Sequence, residues 1–286
     1  MVIEKKCHYS LMMTVTNKKY KKRSKTKKIL KKHKSKIYIA IPSHNRVKLL
    51  QKYTLSLLKK HNFDFNYIFI FCSPESYNEY KKLQKIWGFN LIKSKDSITG
   101  IRNHMIKYFK TGTKVVEMDD DIEDIMNTKK GIKRTPVSDL QGLFSESFDM
   151  LGTSGMWGLN STDSTMSPNG VDKFGTYTII NSCCGYINDK RIKLTVKEKE
   201  DFDRVAQFYM LKLPILKRGA YGIKTNYWNN PGGIQDRYDR KKRIQIQKES
   251  ANELMKKFPR LFRKNVRSSG LVDIRFKGAN PLRFNK

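Results

Sequence analysis

Apolar positions gather along this chain in short β-prone runs, separated by longer stretches with a helical repeat. Lys36–Pro42 (KIYIAIP) is the first run, continuous in the way a strand buried on both faces reads. The loop Ser43–Arg46 follows. From there to about Lys60, Val47, Leu50, Thr54 and Leu57/Leu58 fall on one helical face. The pattern repeats as a strand at Asn66–Cys72 (NYIFIFC), a helix at Ser76–Trp87 and a short strand at Asn90–Lys93. A helix at Ile98–Phe109 and a fourth strand at Lys114–Met118 complete the series. Strands alternating with helices through short connections predict a parallel sheet with right-handed crossovers.

The second half is less regular. Val137–Leu151 reads as a helix, and Trp157–Asn160 and Thr176–Ile180 read as strands joined by a Ser/Thr/Asn/Gly-rich loop. Lys199–Leu213 reads as a helix and Ile215–Lys224 as a strand. The loop Asn229–Gly233 (NNPGG) then leads into a long basic helix from about Gln235 to Lys257. The expected fold class is α/β, a mostly parallel central sheet flanked by helices. A basic, disordered arm is expected at residues 1–35, the catalytic domain at 36–235, and a basic helical extension packed on it at 236–286.

Composition changes this picture mainly through charge. The 286 residues suffice for one large α/β domain or two small ones, and the net charge is +33, from 59 Lys+Arg against 26 Asp+Glu. The excess is clustered. Lys18 to Lys36 holds twelve Lys/Arg in nineteen positions, and the last fifty residues carry sixteen against four acids. Such blocks point to a polyanionic partner. Lys27, Lys28, Lys31, Lys32, Arg240, Lys241, Lys242 and Arg243 are the candidate phosphate contacts. No apolar run approaches the roughly 20 residues of a membrane-spanning helix. Neither a convincing signal peptide nor a zinc-like spacing among Cys7, Cys72, Cys183 and Cys184 is found, so a cytoplasmic setting is expected.

Candidate chemistry lies in four segments. Neither GxGxxG nor GxxxxGK[ST] occurs, which removes the dinucleotide fingerprint and the P-loop. Pro42, Ser43, His44, Asn45 and Arg46 connect the first strand to the first helix and can offer polar groups to a nucleotide. In Ser97–Asn103 (SITGIRN), Gly100 permits close backbone approach, and Arg102 with Asn103 supplies donors. The third segment, TKVVEMDDDIED, places Asp119, Asp120 and Asp121 at the end of the fourth strand, with Glu123 and Asp124 behind. Five neighbouring carboxylates repel one another, and a hard cation such as Mg²⁺ or Mn²⁺ would relieve them. Alternation along an extended chain lets Asp119 and Asp121 share a face. In the fourth, EKEDFDR, Glu200 and Asp201 open a helix, where a carboxylate can act as general base.

Together these segments resemble the GT-A glycosyltransferases. Their order and spacing are similar to the phage and kinetoplastid enzymes of the TET/JBP-associated type, which glycosylate bases of duplex DNA. The resemblance implies a GT-A-like (Rossmann-related) fold and transfer of a hexose from UDP-glucose to a hydroxymethylated or already glucosylated pyrimidine. It implies that Asp119 and Asp121 hold Mn²⁺ or Mg²⁺, with Asp119 and Asp120 also near the nucleotide sugar. Ser43, Asn45, Arg46, Arg102 and Asn103 would hold the nucleotide, with Pro42 and Gly100 lining it. Asp201, with Glu200, would supply the base for an inverting transfer, and in a retaining one Asp201 would bind a sugar hydroxyl instead. Trp157, Asn160, Gly232 and Gly233 would face the acceptor. The partners implied are a nucleotide sugar and duplex DNA, in a host-cell cytoplasm for a phage protein. Other readings keep the GT-A core with a polysaccharide, lipid or protein acceptor, or replace it by a metal-dependent nuclease or a non-catalytic DNA-binding protein.

Overall fold

The computed structural model describes residues 36–95, 97–129, 133–163, 170–226, 230, 232–233, 239–266 and 272–278. The expected arm at 1–35, with Lys27, Lys28, Lys31 and Lys32, lies outside the described residues, as do 235–238 at the expected start of the last helix. Residues 35–286 form one compact unit.

The first half follows the periodicity of the sequence. Strand β1 (Ile37–Ser43) leads through the polar loop into α1 (Val47–Leu50), which runs on through a π-helical turn (Gln51–Leu55) into α2 (Ser56–Lys60). A 3-10 turn (Phe65–Tyr67) opens β2 (Ile68–Cys72). Then come α3 (Tyr77–Trp87), β3 (Asn90–Lys93), α4 (Ile98–Tyr108) and β4 (Lys114–Met118). Ser97 starts α4 by accepting a hydrogen bond from the Gly100 amide at 3.0 Å, an ordinary N-cap. The second half contains β5 (Asp124–Asn127), β6 (Thr135–Pro136), α5 (Leu140–Leu151), β7 (Met156–Asn160), β8 (Lys173–Phe174) and β9 (Cys183–Ile187). It continues with α6 (Glu200–Met210), β10 (Ile215–Lys224), α7 (Arg240–Lys257), β11 (Phe262–Val266) and β12 (Val272–Phe276).

Among the described residues, ten strands make one mixed sheet flanked by helices, in the order β3-β2-β1-β4-β9-β7-β10-β5-β6, with β8 beside β10. Strands β1 to β4 are mutually parallel, and β9 runs antiparallel to both β4 and β7. This is an α/β, Rossmann-like arrangement of the GT-A type. The chain builds outward from β1 to β2 and β3, then returns to place β4 on the other side of β1. Strand order therefore reverses between β1 and β4, and the carboxyl ends of these two strands border the crevice where open α/β sheets bind ligands.

Side-chain alternation divides the core between the two faces of the sheet. Ile39, Ile41, Val116 and Met118 pack with residues of α1, α2, α3 and α5, while Ala40 and Val115 pack with residues of α4 and α6. Glu117 follows the same alternation toward α4 and α6, and it is wholly buried.

Three departures from the sequence reading matter. Thr176–Ile180 is not a strand; the strand lies at Cys183–Ile187, buried along its length between β4 and β7. Gly185 makes that fit possible, because a Cβ there would sit 2.3 Å from the Trp157 ring. Strand β5 was hidden because it begins within the acidic run. Among the described residues, the C-terminal region is helical only as far as Lys257. A hairpin, β11–β12, follows it, and Phe258, Phe262 and Ile274 pack with Val196 and Ala206 beside α6.

Candidate functional site

The acidic segment leaves β4 at the switch point, and the fold supplies it with cations. Arg102 lies 3.2 Å from Asp119, and Arg46 lies 3.2 Å from both Asp120 and Asp121. Lys224 pairs with Glu123 at 3.0 Å and Lys60 with Asp124 at 3.1 Å. All five carboxylates thus have a basic partner, so side chains relieve the repulsion that the sequence assigned to a metal. Strand β4 ends at Met118 and the chain turns at Asp120–Asp121. The expected alternation stops there. Asp120 and Asp121 therefore share one guanidinium, while Asp119 faces another.

Backbone contacts fix the turn. Thr54, on the π-helical turn, donates to the Asp119 carbonyl at 2.8 Å and accepts from the Ile122 amide at 3.0 Å. The Asp119 amide donates to the Ser182 carbonyl at 2.8 Å, and Thr225 donates to the Asp121 carbonyl at 2.8 Å. Thr54 lies inside the π-helical turn Gln51–Leu55, a rare helical irregularity that is frequent at functional sites.

The loop after β1 converges on the same place. Ser43 donates to Asp120 at 2.5 Å and shares a 2.5 Å hydrogen bond with the Tyr80 hydroxyl, which also accepts from the Arg46 amide at 3.1 Å. Pro42 is buried within β1, whereas Asn45 is exposed and holds φ 53, a left-handed conformation Asn tolerates better than most residues. Arg46 reaches across to the loop after β10, donating to the carbonyls of Asn230 at 3.4 Å and Gly232 at 3.1 Å. Gly232 and Gly233 have φ of +83 and +72, and a Cβ on either would fall 2.8 Å from the Arg46 side chain. These two glycines belong against Arg46.

Behind the turn lies an arginine hub that periodicity did not reveal. Arg102 is 5% exposed and directs Nε to Glu117, Nη1 to Glu200 and Nη2 to Asp119. Glu117 also accepts from Arg204 at 2.9 Å, with both side chains buried. One guanidinium thereby ties β4 and its acidic turn to the start of α6. Arg102 is engaged by carboxylates on all three nitrogens. Asn103 is likewise committed, exchanging two hydrogen bonds with the backbone of Leu194 at 2.8 and 2.9 Å. The signal for the hub was Glu117 in an otherwise apolar strand, a polar residue where alternation demands burial.

Glu200 and Asp201 divide in role. Glu200 is buried against Arg102, whereas Asp201 is half-buried and, among the described residues, takes a hydrogen bond only from the Phe202 amide at 2.9 Å. Burial first, then the charge of Glu200, raise the Asp201 carboxyl above the ordinary range. Burial likewise raises Asp120, from 3.8 to about 7, against the opposing pull of Arg46. Asp119 is also raised, by burial and by the Asp121 charge, with Arg102 opposing.

The residues expected on the acceptor side are split. Trp157 is fully buried between Phe144 and Phe148, and Asn160 is buried while donating to the Gly219 carbonyl at 2.8 Å. Both side chains are buried. Gly100 lies beneath the cap of α4, where a Cβ would meet Ser97 and Lys95 at 2.8 Å. Lys241 and Lys242 are exposed on α7, and Arg243 is half-buried against Glu198 at 3.1 Å. The side chain of Arg240 is outside the described residues.

Among the described residues, no group of three or more His, Cys, Asp or Glu side chains converges as a metal cage. Asp119 and Asp121 are close enough for one to raise the other, and the Asp119 side chain keeps 28% exposure. Two carboxylates with an open side fit a cation whose shell is completed by water and phosphate oxygens, the usual Mg²⁺ arrangement.

No protein-family model and no curated protein matches the chain. Solved structures do match in fold. One is S. aureus TarS residues 1–349 in complex with UDP-GlcNAc, at 14% identity and a TM-score of 0.48, covering 77% of this chain and 66% of that one. Another is the mannosyltransferase PcManGT from Pyrobaculum calidifontis with GDP-Man and Mn²⁺, at 9% identity and 0.49, covering 77% and 64%. A third is a nucleotide-diphospho-sugar transferase from Desulfovibrio desulfuricans, at 14% identity and 0.44, covering 78% and 95%. At such identities the likeness extends to fold alone. These matches are nucleotide-sugar transferases and not DNA-base glycosyltransferases, which corrects the resemblance drawn from the sequence. The modified-pyrimidine acceptor, duplex DNA as partner and a bacteriophage setting fall with it. Among the described residues no helix is long and apolar enough to cross a membrane.

Proposed function

We propose that this chain is a glycosyltransferase that moves a hexose from a nucleoside-diphosphate sugar, UDP-glucose foremost, to a hydroxyl of a polysaccharide acceptor. The observation that carries this reading is the meeting of three segments at one switch point. These are the Ser43–Arg46 loop after β1, the Asp119–Asp121 turn after β4, and the start of α6 bearing Asp201. A nuclease reading explains the carboxylates but not the polar loop locked to them through Ser43, Tyr80 and Arg46.

In this reading Asp119 and Asp121 hold the divalent cation, and the loop at Ser43–Arg46 receives the diphosphate. Mn²⁺ or Mg²⁺, when bound, would neutralise the charge that develops on the departing diphosphate. Arg102 and Glu117 hold the acidic turn at a fixed position relative to α6. With Glu200 consumed by Arg102, Asp201 is the carboxylate left to take the proton of the attacking hydroxyl, and its raised pKa suits a general base. That role belongs to an inverting transfer.

The test is a donor and acceptor matrix. UDP-glucose, UDP-GlcNAc and GDP-mannose are each offered with Mn²⁺, with or without neutral and acidic polysaccharides. Release of nucleoside diphosphate that rises with one polysaccharide is the expected result. If none of the three donors binds or turns over, the glycosyl-transfer reading is wrong.

A further inference from the structure

Arg46 bridges two carboxylates of the acidic turn, and one of them, Asp121, is also a candidate metal ligand. Its Nη1 is 3.2 Å from Asp120 Oδ1 and 3.2 Å from Asp121 Oδ2, and its side chain is only 14% exposed. Asn230 donates to the same Asp121 oxygen at 3.0 Å. A guanidinium and a divalent ion cannot both sit against the same Asp121 oxygen, because like charges at that separation repel strongly. The guanidinium is also a fork suited to paired phosphate oxygens, and Arg46 directly follows the β1 loop at the switch point.

Resting on the glycosyl-transfer reading, we infer that Arg46 exchanges partners on substrate binding. In the empty site it neutralises Asp120 and Asp121. When a nucleoside diphosphate arrives, the guanidinium moves to the diphosphate oxygens and leaves Asp121 open to the metal. Arg46 is thus a diphosphate-binding residue and, before that, a placeholder that opposes metal binding. The carbonyls of Asn230 and Gly232 hold the other end of the fork, so the side chain can turn while one nitrogen stays anchored.

The exchange is tested by titrating the full chain with Mn²⁺ alone and with UDP alone, for wild type, Arg46→Gln and Arg46→Lys. Arg46→Gln binds Mn²⁺ alone about tenfold more tightly than wild type, since the competing charge is gone, and binds UDP about tenfold more weakly. Arg46→Lys keeps the charge but not the fork. Its Mn²⁺ affinity stays near wild type while its UDP affinity falls about tenfold. Manganese binding to Arg46→Gln no tighter than to wild type, with UDP binding to wild type intact, overturns the exchange alone. If Arg46→Gln does not fold, wild-type UDP affinity in Arg46→Lys overturns it. Wild type that binds neither UDP nor Mn²⁺ refutes the glycosyl-transfer reading and the exchange with it.

Discussion

At the scale of single residues, the site is a set of carboxylates sorted by their arginines. Glu117, Asp119 and Glu200 belong to Arg102, and Asp120 and Asp121 belong to Arg46. What distinguishes Asp201 is that no arginine among the described residues claims it. Asp201→Asn should therefore lower transfer by about 10²- to 10⁴-fold in kcat, the usual worth of a general base, while UDP affinity is unchanged. Steady-state kinetics beside UDP titration checks this, and a kcat within a few-fold of wild type removes the base assignment. Asp120 gives a second residue-level prediction. Its carboxyl is raised from 3.8 to about 7, so between those values the folded chain holds a proton that the unfolded chain has released. That contribution to stability is complete below the unfolded value and is lost as pH rises through about 7. Metal-free protein should lose on the order of 3 kcal/mol of unfolding free energy between pH 4 and pH 8 from this group. Asp120→Asn should flatten that part of the profile in urea unfolding.

At the scale of elements, the start of α6 is held from two sides. Arg102 of α4 grips Glu200, and Lys199, in a left-handed conformation at φ 62, pairs with Asp273 of β12 at 2.6 Å. Both members of that second pair are about nine-tenths buried. The C-terminal hairpin is thus a brace for the helix that carries Asp201. Asp273→Ala leaves the Lys199 charge uncompensated and should cost about 3 kcal/mol. Amide exchange should quicken in the first turn of α6 and in β11–β12 together. Faster exchange in the hairpin with α6 unchanged would show that the brace does not reach the site.

For the molecule as a whole, the reversal of strand order between β1 and β4 sets where chemistry can occur. The excess of positive charge does not. Within the site, Arg102 and Arg46 share five carboxylates between them, and Lys241 and Lys242 are exposed on α7, outside those contacts. Residues 35–286 contain the entire ten-stranded sheet and form a compact unit of their own. A chain beginning at residue 35 should unfold cooperatively with a Tm within about 3 °C of the full chain, because the three buried clusters among the described residues lie inside it. Loss of cooperativity in calorimetry would mean that residues 1–34 complete the core.

Periodicity alone determined the β/α series from Ile37 to Met118, since each strand there is an apolar run and each helix an amphipathic one. It also located the acidic turn at the end of the fourth strand, because an apolar run ending in three aspartates is a local pattern. Strand β9 escaped it, as two adjacent cysteines followed by a glycine carry no period. Only the tertiary structure decided what the carboxylates do. Arg46 lies 74 positions from Asp120, and Glu117 lies 87 from Arg204, so their pairing depends on which strands become neighbours. The energy of a charge is set by what surrounds it, and no local window of sequence contains those surroundings.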